Sequence, residues 1–286
     1  MTPDIQHFFH AASGTLSYLV SDPVSGEAAA IDPVVGFSVV SGRLDLAPVN
    51  ALAAAVRQQG LTLRWILETH AHADHLSGAR YLQRETGGEI GIGAGIVEVQ
   101  THFAGVFNLG PGFASDGRQF DRLFDDGDTV PLGELEGRVM ATPGHTNDSV
   151  TYLFGDAAFI GDSMFAPDIG TARCDFPGGD ATKLYASIQK LLTLPQSTHF
   201  YLCHDYPPEG RGVRVDVPLA EQAAENRHIG GGRSQDDFVA MRRARDEQLS
   251  LPALILPAIQ VNIRAGDLPE AEGNGVSYLK LPVDLF

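Results

Sequence analysis

The chain reads as a mixed α/β fold, because short apolar runs of strand character alternate with segments of helical composition along its 286 residues. The punctuation agrees, with Gly, Pro and Asp clusters closing the apolar runs and glycine stops closing the helical ones. Residues 14–20 (GTLSYLV) and 27–32 (EAAAID) are expected as two strands, joined by a turn holding Asp22, Pro23, Ser25 and Gly26. Residues 48–59 have helical composition and stop at Gly60, and 63–67 (LRWIL) read as a buried strand. A second helix is expected over 77–86, stopped by Gly87-Gly88, with strands at 138–141, 150–154 and 157–160. A helix fits 180–194, with Asp180 as its N-cap and Pro195 just past its end, and 200–203 is one more strand. Beyond Pro218 the pattern is helical to about Ser250, broken at Gly230-Gly231-Gly232, and LPALILPAIQV fits neither state cleanly.

Composition narrows the function. Thirty-six acidic side chains against 20 basic ones give a net charge of −16, which disfavours nucleic acid and anionic membrane surfaces as partners. Apolar content of 43% supports a substantial core, and no apolar run is long enough for a membrane-spanning helix. The first residues, MTPDIQHFFH, lack the basic and apolar regions of a secretory signal, and the two cysteines, Cys174 and Cys203, suit a reducing compartment, so a cytoplasmic location is expected. The polar stretch 110–128 is an excursion from the scaffold. Its Asp125, Asp126 and Asp128 lack the spacing and closing Glu of a calcium loop and read as a solvated turn. GIGAGI at 91–96 misses the third glycine of a dinucleotide fingerprint.

The histidines carry the chemistry. THAHADH at 69–75 puts His70, His72, Asp74 and His75 just past a strand, where α/β folds place their sites. Imidazole and carboxylate at that spacing can converge on one or two metal ions. His145 follows a strand within PGHT, Asp162 follows one within GD, and His204 follows one within HDY. Seven potential ligands, each just beyond a strand, make a metal centre the expectation. His7, His10, His102, His199 and His228 show no such pattern and read as ordinary.

This ordered set resembles the metallo-β-lactamase fold superfamily, over roughly residues 14–206. The resemblance implies an αββα sandwich, two packed mixed sheets with helices on the outer faces and metal at one edge. It also implies one domain spanning 1–286, with a core at about 14–206 and a C-terminal extension at about 218–286. Within the superfamily, GDSMF at 161–165, GTARCDF at 170–176 and HDY at 204–206 look like persulfide dioxygenases of the ethylmalonic-encephalopathy type, in the branch without a fused rhodanese domain.

That likeness implies one Fe(II) per chain on His70, His145 and Asp162, with zinc or manganese able to replace it in recombinant protein. Two imidazoles and one carboxylate leave positions open for substrate and O₂ side by side. His72, Asp74, His75 and His204 then form a hydrogen-bonded shell; in a dinuclear hydrolase the same four would hold a second metal, with Asp162 bridging. The implied substrates are glutathione persulfide and O₂, the products sulfite and glutathione. Arg173 is the candidate for a glycyl carboxylate and Tyr206 for a hydrogen bond near the reacting sulfur, with Arg211 and Arg214 as further cations. Cys174 and Cys203 read as small buried residues rather than sulfur carriers. A homodimer is one expected assembly. Two alternatives stand beside this reading: a dinuclear hydrolase of glutathione thioesters, similar to glyoxalase II, and a persulfide-binding sensor or adaptor without turnover.

Overall fold

Alternation along three central strands decides the layering. The structure is a computed structural model describing residues 2–285. An edge strand β1 (Asp4–His10) is followed by β2 (Thr15–Ser21) and β3 (Glu27–Ile31). Then come β4 (Val34–Ser38), β5 (Arg43–Asp45), helix α1 (Ala47–Gln58) and β6 (Thr62–Leu67). Tyr18, Val20, Ala29, Ile31, Trp65 and Leu67 face one apolar cluster, while Leu19, Ala28, Ala30, Leu63 and Ile66 face another. Successive strand side chains point to opposite faces, so a sheet with both faces apolar must be covered on both sides.

The short β7 (Leu76–Ser77) precedes α2 (Ala79–Thr86), β8 (Glu89–Gly93), α3 (Ile96–Val106) and β9 (Arg122–Phe124). The first six-stranded sheet runs β1-β2-β3-β6-β8-β9, and β5-β4-β7 form a small third sheet. The second large sheet comes from β10 (Thr129–Leu132), β11 (Leu135–Ala141), β12 (Val150–Phe154), β13 (Ala157–Phe159), β14 (His199–Tyr201) and β15 (Asp216–Pro218), in that order. Helix α4 (Ala181–Leu192) links β13 to its parallel neighbour β14. Helices α5 (Leu219–Glu225), α6 (Gln235–Asp246) and α7 (Ile255–Asn262) complete the chain. Residues of both large sheets share the inner cluster. Those of α1, α2, α3 and α7 join the outer cluster on the first sheet, and α4 and α6 pack together on the side of the second. This is the αββα sandwich expected. Among the described residues no helix is long and apolar enough to cross a membrane.

The expected strands and helices are present within a few residues of their bounds. The helix expected from Ser77 starts at Ala79, because Leu76 and Ser77 pair with Val35 and Val34. Asp180 caps α4 as expected, accepting from the backbone N–H groups of Thr182 (2.7 Å) and Lys183 (2.9 Å). The ambiguous tail contains α7, whose Pro257 sits in the first turn, where a missing N–H removes no helical bond. Strand β8 ends within the glycine-rich GIGAGI; a Cβ on Gly93 would stand 2.3 Å from the Asp148 carbonyl oxygen, so glycine marks close packing there. Strand β1 pairs only with β2 and is mostly exposed, which blunts its apolar signal. Residues 110–128 include β9, and Asp126 and Asp128 hold their turn through Lys190 and Arg122.

Asp180→Ala should destabilise the protein by about 1 kcal/mol, the usual worth of a side-chain N-cap. Urea unfolding reads this as a lower midpoint at constant slope; an unmoved midpoint would show that the cap contributes nothing.

Candidate metal centre

The turn after β6 is buried and irregular, so distant side chains must satisfy its backbone. Asp32, at the end of β3, adopts a φ of 48°, a conformation Asp tolerates better than most residues. Its carboxylate accepts from the Thr69 N–H (2.7 Å) and hydroxyl (2.9 Å). Asp148 accepts from the Ala71 N–H at 2.7 Å. Asn262, the last residue of α7, donates to the His72 and His75 carbonyls, both at 2.8 Å, and accepts from Ser77 N–H at 2.7 Å.

These anchors aim the ligands. The Thr69 hydroxyl gives its hydrogen to Asp32 and so accepts from His70 Nδ1 at 3.0 Å, which leaves the His70 Nε2 lone pair free. His145 Nδ1 donates to the Arg173 carbonyl at 2.8 Å, freeing its Nε2 in the same way. The turn carrying His145 is pressed onto α4. Gly144 has φ +144°, and a Cβ there would meet the Leu184 backbone at 2.3 Å.

His70, His145 and Asp162 offer ligand atoms all within 4.8 Å of one another, and so do His72, Asp74 and His75. His204 stands between the two groups, its Nε2 3.4 Å from Asp162 Oδ1 and 3.6 Å from Asp74 Oδ2. His72 Nε2 lies 3.0 Å from Asp32 Oδ1, which backs that ring with a carboxylate. All seven expected residues are thus brought together. His70 Nε2, His72 Nδ1, His75 Nε2, Asp162 Oδ1 and both His204 nitrogens are buried without hydrogen-bond partners. Buried polar atoms left without partners are costly, and a cation can take these lone pairs, so this donor set fits a bound metal.

Burial, and next the facing imidazoles, hold His70 and His72 well below the ordinary histidine range, in the neutral form a metal needs. Desolvation would raise Asp74, yet His204 and His75 hold its carboxyl well below the usual range. Burial would lower His204, but Asp162 and Asp74 hold it above its ordinary value. Behind the turn, burial raises Asp32, Glu68 and Asp148.

A cavity of ≈ 340 Å³ opens onto His145, Asp162, Asp74 and His204, walled by Phe165, Ile169, Phe176, Leu249 and Pro252. Arg173 lines it, but its guanidinium is committed. It makes two bonds to Asp175 (2.6 and 2.7 Å), a third to the Ser250 carbonyl (2.7 Å), and lies 4.9 Å from the Phe176 ring centre. The expected carboxylate receptor therefore already holds a carboxylate, and its backbone and ring contacts position His145. Arg211 is paired with Asp205 and Asp168, and Arg214 with Glu221. Tyr206 lines the cavity, stacked on His204 at 5.8 Å, and desolvation keeps its phenol protonated.

Three cavity residues, His228, Arg242 and Arg245, escaped the sequence reasoning. His228 accepts from the Thr171 N–H at 2.9 Å, which leaves its ring proton on Nε2. Burial, then Arg242 and Arg245, lower its pKa to about 3. Arg242 of α6 is bound to Asp246, whereas Arg245 is exposed at the cavity and has no acidic partner among the described residues. Helical spacing alone shows neither residue facing a site. Both cysteines are buried, and burial pushes both thiols up. Cys203 Sγ lies 3.6 Å from Asp32 Oδ2 and within 4.8 Å of ligand atoms of His72 and His204, and the Cys174 N–H bonds Asp246.

A family model described as Metallo-beta-lactamase superfamily matches residues 12–204, more than half of the chain. The chain belongs to this superfamily. It is 53% identical to a probable metallo-hydrolase of Burkholderia pseudomallei, over 98% of this chain and 99% of that one. It is 47% identical to a beta-lactamase hydrolase-like protein of Xylella fastidiosa, over 99% of this chain but only 65% of that longer protein. It is 32% identical to human mitochondrial persulfide dioxygenase ETHE1, over 92% of this chain and 88% of that one. The crystal structure of ETHE1 from Myxococcus xanthus superposes with a TM-score of 0.73 at 30% identity, covering 92% of this chain and all of that one.

Asp162→Ala removes the only carboxylate of its triad. Bound metal per chain should fall to a small fraction of wild type in elemental analysis; full occupancy would remove Asp162 from the ligand set.

Proposed function

We propose that this superfamily member is a non-haem Fe(II) persulfide dioxygenase, converting glutathione persulfide, O₂ and water to glutathione and sulfite. The observation that carries the reading is the triad His70, His145 and Asp162, whose ligand atoms lie within 4.8 Å and two of whose members line an apolar cavity. Bound Fe(II) there would supply adjacent open positions for a persulfide sulfur and O₂. The likeness to ETHE1 proteins over nearly the whole chain supports the same chemistry.

The chain's own residues do the rest. The Arg173 carbonyl and Thr69 hydroxyl fix the tautomers of His145 and His70. Phe165, Leu249 and Pro252 pack the substrate's carbon skeleton and exclude water. Arg245 takes a substrate carboxylate, because it is the cation at the cavity not already neutralised. His72, Asp74, His75 and His204 orient the ligands and ordered water, with Thr15 hydrogen-bonded to Asp74 and His75.

A dinuclear hydrolase is the second reading. It is favoured by the names of the relatives with higher identity and by the second compact triad, His72, Asp74 and His75. Anaerobic reconstitution with Fe(II), a metal count and an O₂ electrode separate the two. O₂ uptake with sulfite formed at one iron per chain is the expected result. Two metals per chain, thioester hydrolysis and no uptake would overturn it. Arg245→Ala should raise KM for glutathione persulfide about tenfold, the worth of one hydrogen bond to a charged group, with little change in kcat. Arg173→Ala should instead lower kcat and bound metal. A KM effect confined to Arg173 would return the carboxylate to that residue.

A further inference from the structure

A second cavity, of ≈ 440 Å³, reaches the centre from the opposite flank. His10, Ser13, Arg43, Asp45, Asp74 and His75 are among its lining residues, and Asp74 stands on the wall of both cavities. Along this flank runs an unbroken line of short polar contacts. His10 Nδ1 is 2.7 Å from Ser13 Oγ, and Ser13 Oγ is 2.6 Å from Thr15 Oγ1. Thr15 Oγ1 is in turn 3.3 Å from both Asp74 Oδ2 and His75 Nδ1. Thr15 is fully buried and Ser13 partly so, while the imidazole of His10 reaches the second cavity.

Both reactions considered above release protons at the centre, and a substrate bound in the first cavity would stand between the centre and solvent on that side. Oxidation follows RSSH + O₂ + H₂O → RSH + SO₃²⁻ + 2 H⁺, and thioester hydrolysis releases one proton with its carboxylate. With the first cavity filled, protons must leave by another side. We propose that Thr15, Ser13 and His10 form a proton relay from the edge of the metal centre to the second cavity. A proton delivered to Thr15 Oγ1 frees the Thr15 hydroxyl hydrogen to Ser13 Oγ, and Ser13 passes its own to His10 Nδ1. The His10 Nε2 hydrogen then leaves to water. Only O–H and N–H bonds form and break, and one proton exits per passage. The relay rests on this centre being the reaction site but holds for either reaction.

Geometry favours the outer station. His10 is separated from the ligand set by two hydroxyls and lines the second cavity. Burial, and next His75, lower its pKa, while Asp45 and Asp74 pull it up, so the ring rests neutral and able to accept. Arg43 lines the same cavity and favours departure of the proton. Imidazole at the end of a hydroxyl chain is suited to such transfer, because its two nitrogens accept on one side and release on the other.

The wild type is assayed first, by O₂ uptake and thioester hydrolysis, which tests the dioxygenase reading on its own. The relay is then tested by the ratio of variant to wild type in whichever reaction is seen. In dilute buffer His10→Ala should lower kcat about tenfold, with KM, bound iron and thermal midpoint unchanged. Added imidazole buffer should restore its kcat while leaving the wild type unaffected. Thr15→Val should show the same loss in dilute buffer, and Thr15→Ser should keep wild-type kcat. A His10→Ala enzyme as fast as wild type in dilute buffer, or one slowed but not rescued by imidazole, would overturn the relay. If Thr15→Val does not fold, the His10→Ala result decides alone.

Discussion

The metal centre depends on one constraint: the turn from Glu68 to His75 is buried yet belongs to no helix, so its peptide groups need partners from elsewhere. Asp32 comes from the N-terminal sheet, Asp148 from the loop before β12 and Asn262 from the last helix. Each bond restrains a different part of the turn, and together they set the spacing of four potential ligands. Tyr152 adds a fourth tie, its hydroxyl donating to the Glu68 carbonyl at 2.9 Å. The sandwich brings these remote residues within reach because the turn lies at one end of two packed sheets. Stability and ligand placement are therefore one problem here. Losing an anchor would expose an unpaired peptide group to an apolar interior and misplace an imidazole in the same event.

What the sequence shows of this centre follows from how each group is encoded. Ligands packed into THAHADH, or placed singly beyond strands at His145, Asp162 and His204, are legible because strand ends are readable and their chemistry is unusual. The anchors are not. Asn262 sits in a helix whose proline-bounded segment, 251–261, gives no clean periodicity, and nothing local says that an amide there reaches residues 190 and 187 positions away. His10 and His228 look ordinary because what links them to the site is distant in sequence, the Thr15 contacts with Asp74 and His75 for one, the Thr171 N–H for the other. Arg173 is the instructive case. Its place beside the site was visible in the motif, but the adjacent Asp175 neutralises it, and only coordinates show a bidentate grip at 2.6 and 2.7 Å.

The segment after Pro218 is accordingly part of the centre. Helix α7 supplies Asn262, and α6 supplies Arg245 to the cavity and, through Asp246, grips the Cys174 N–H of the loop that also presents Arg173. Arg242 reinforces the same loop by donating to the Thr171 carbonyl at 3.1 Å. A change in this segment can therefore act on the site in two ways, by unfixing the motif turn or by reshaping the mouth of the cavity.

Charge resolves the remaining tension. A chain with net charge −16 repels anions at long range, so the proposed recognition of a dicarboxylate would have to be local and short-range. Most arginines near the cavity are spent on internal carboxylates, which fixes loops but leaves little net positive potential. One uncommitted guanidinium, Arg245, beside an apolar wall suits a substrate that is mostly carbon with an anionic end. The second cavity carries a different set of charges on its wall, Arg43 and Asp45 beside Asp74. Asp74, shared by both cavities, would under the proposed relay be the partition between an anion-receiving side and a proton-releasing side. Such a division would let a buried centre exchange protons with solvent on one side while a substrate occupied the other.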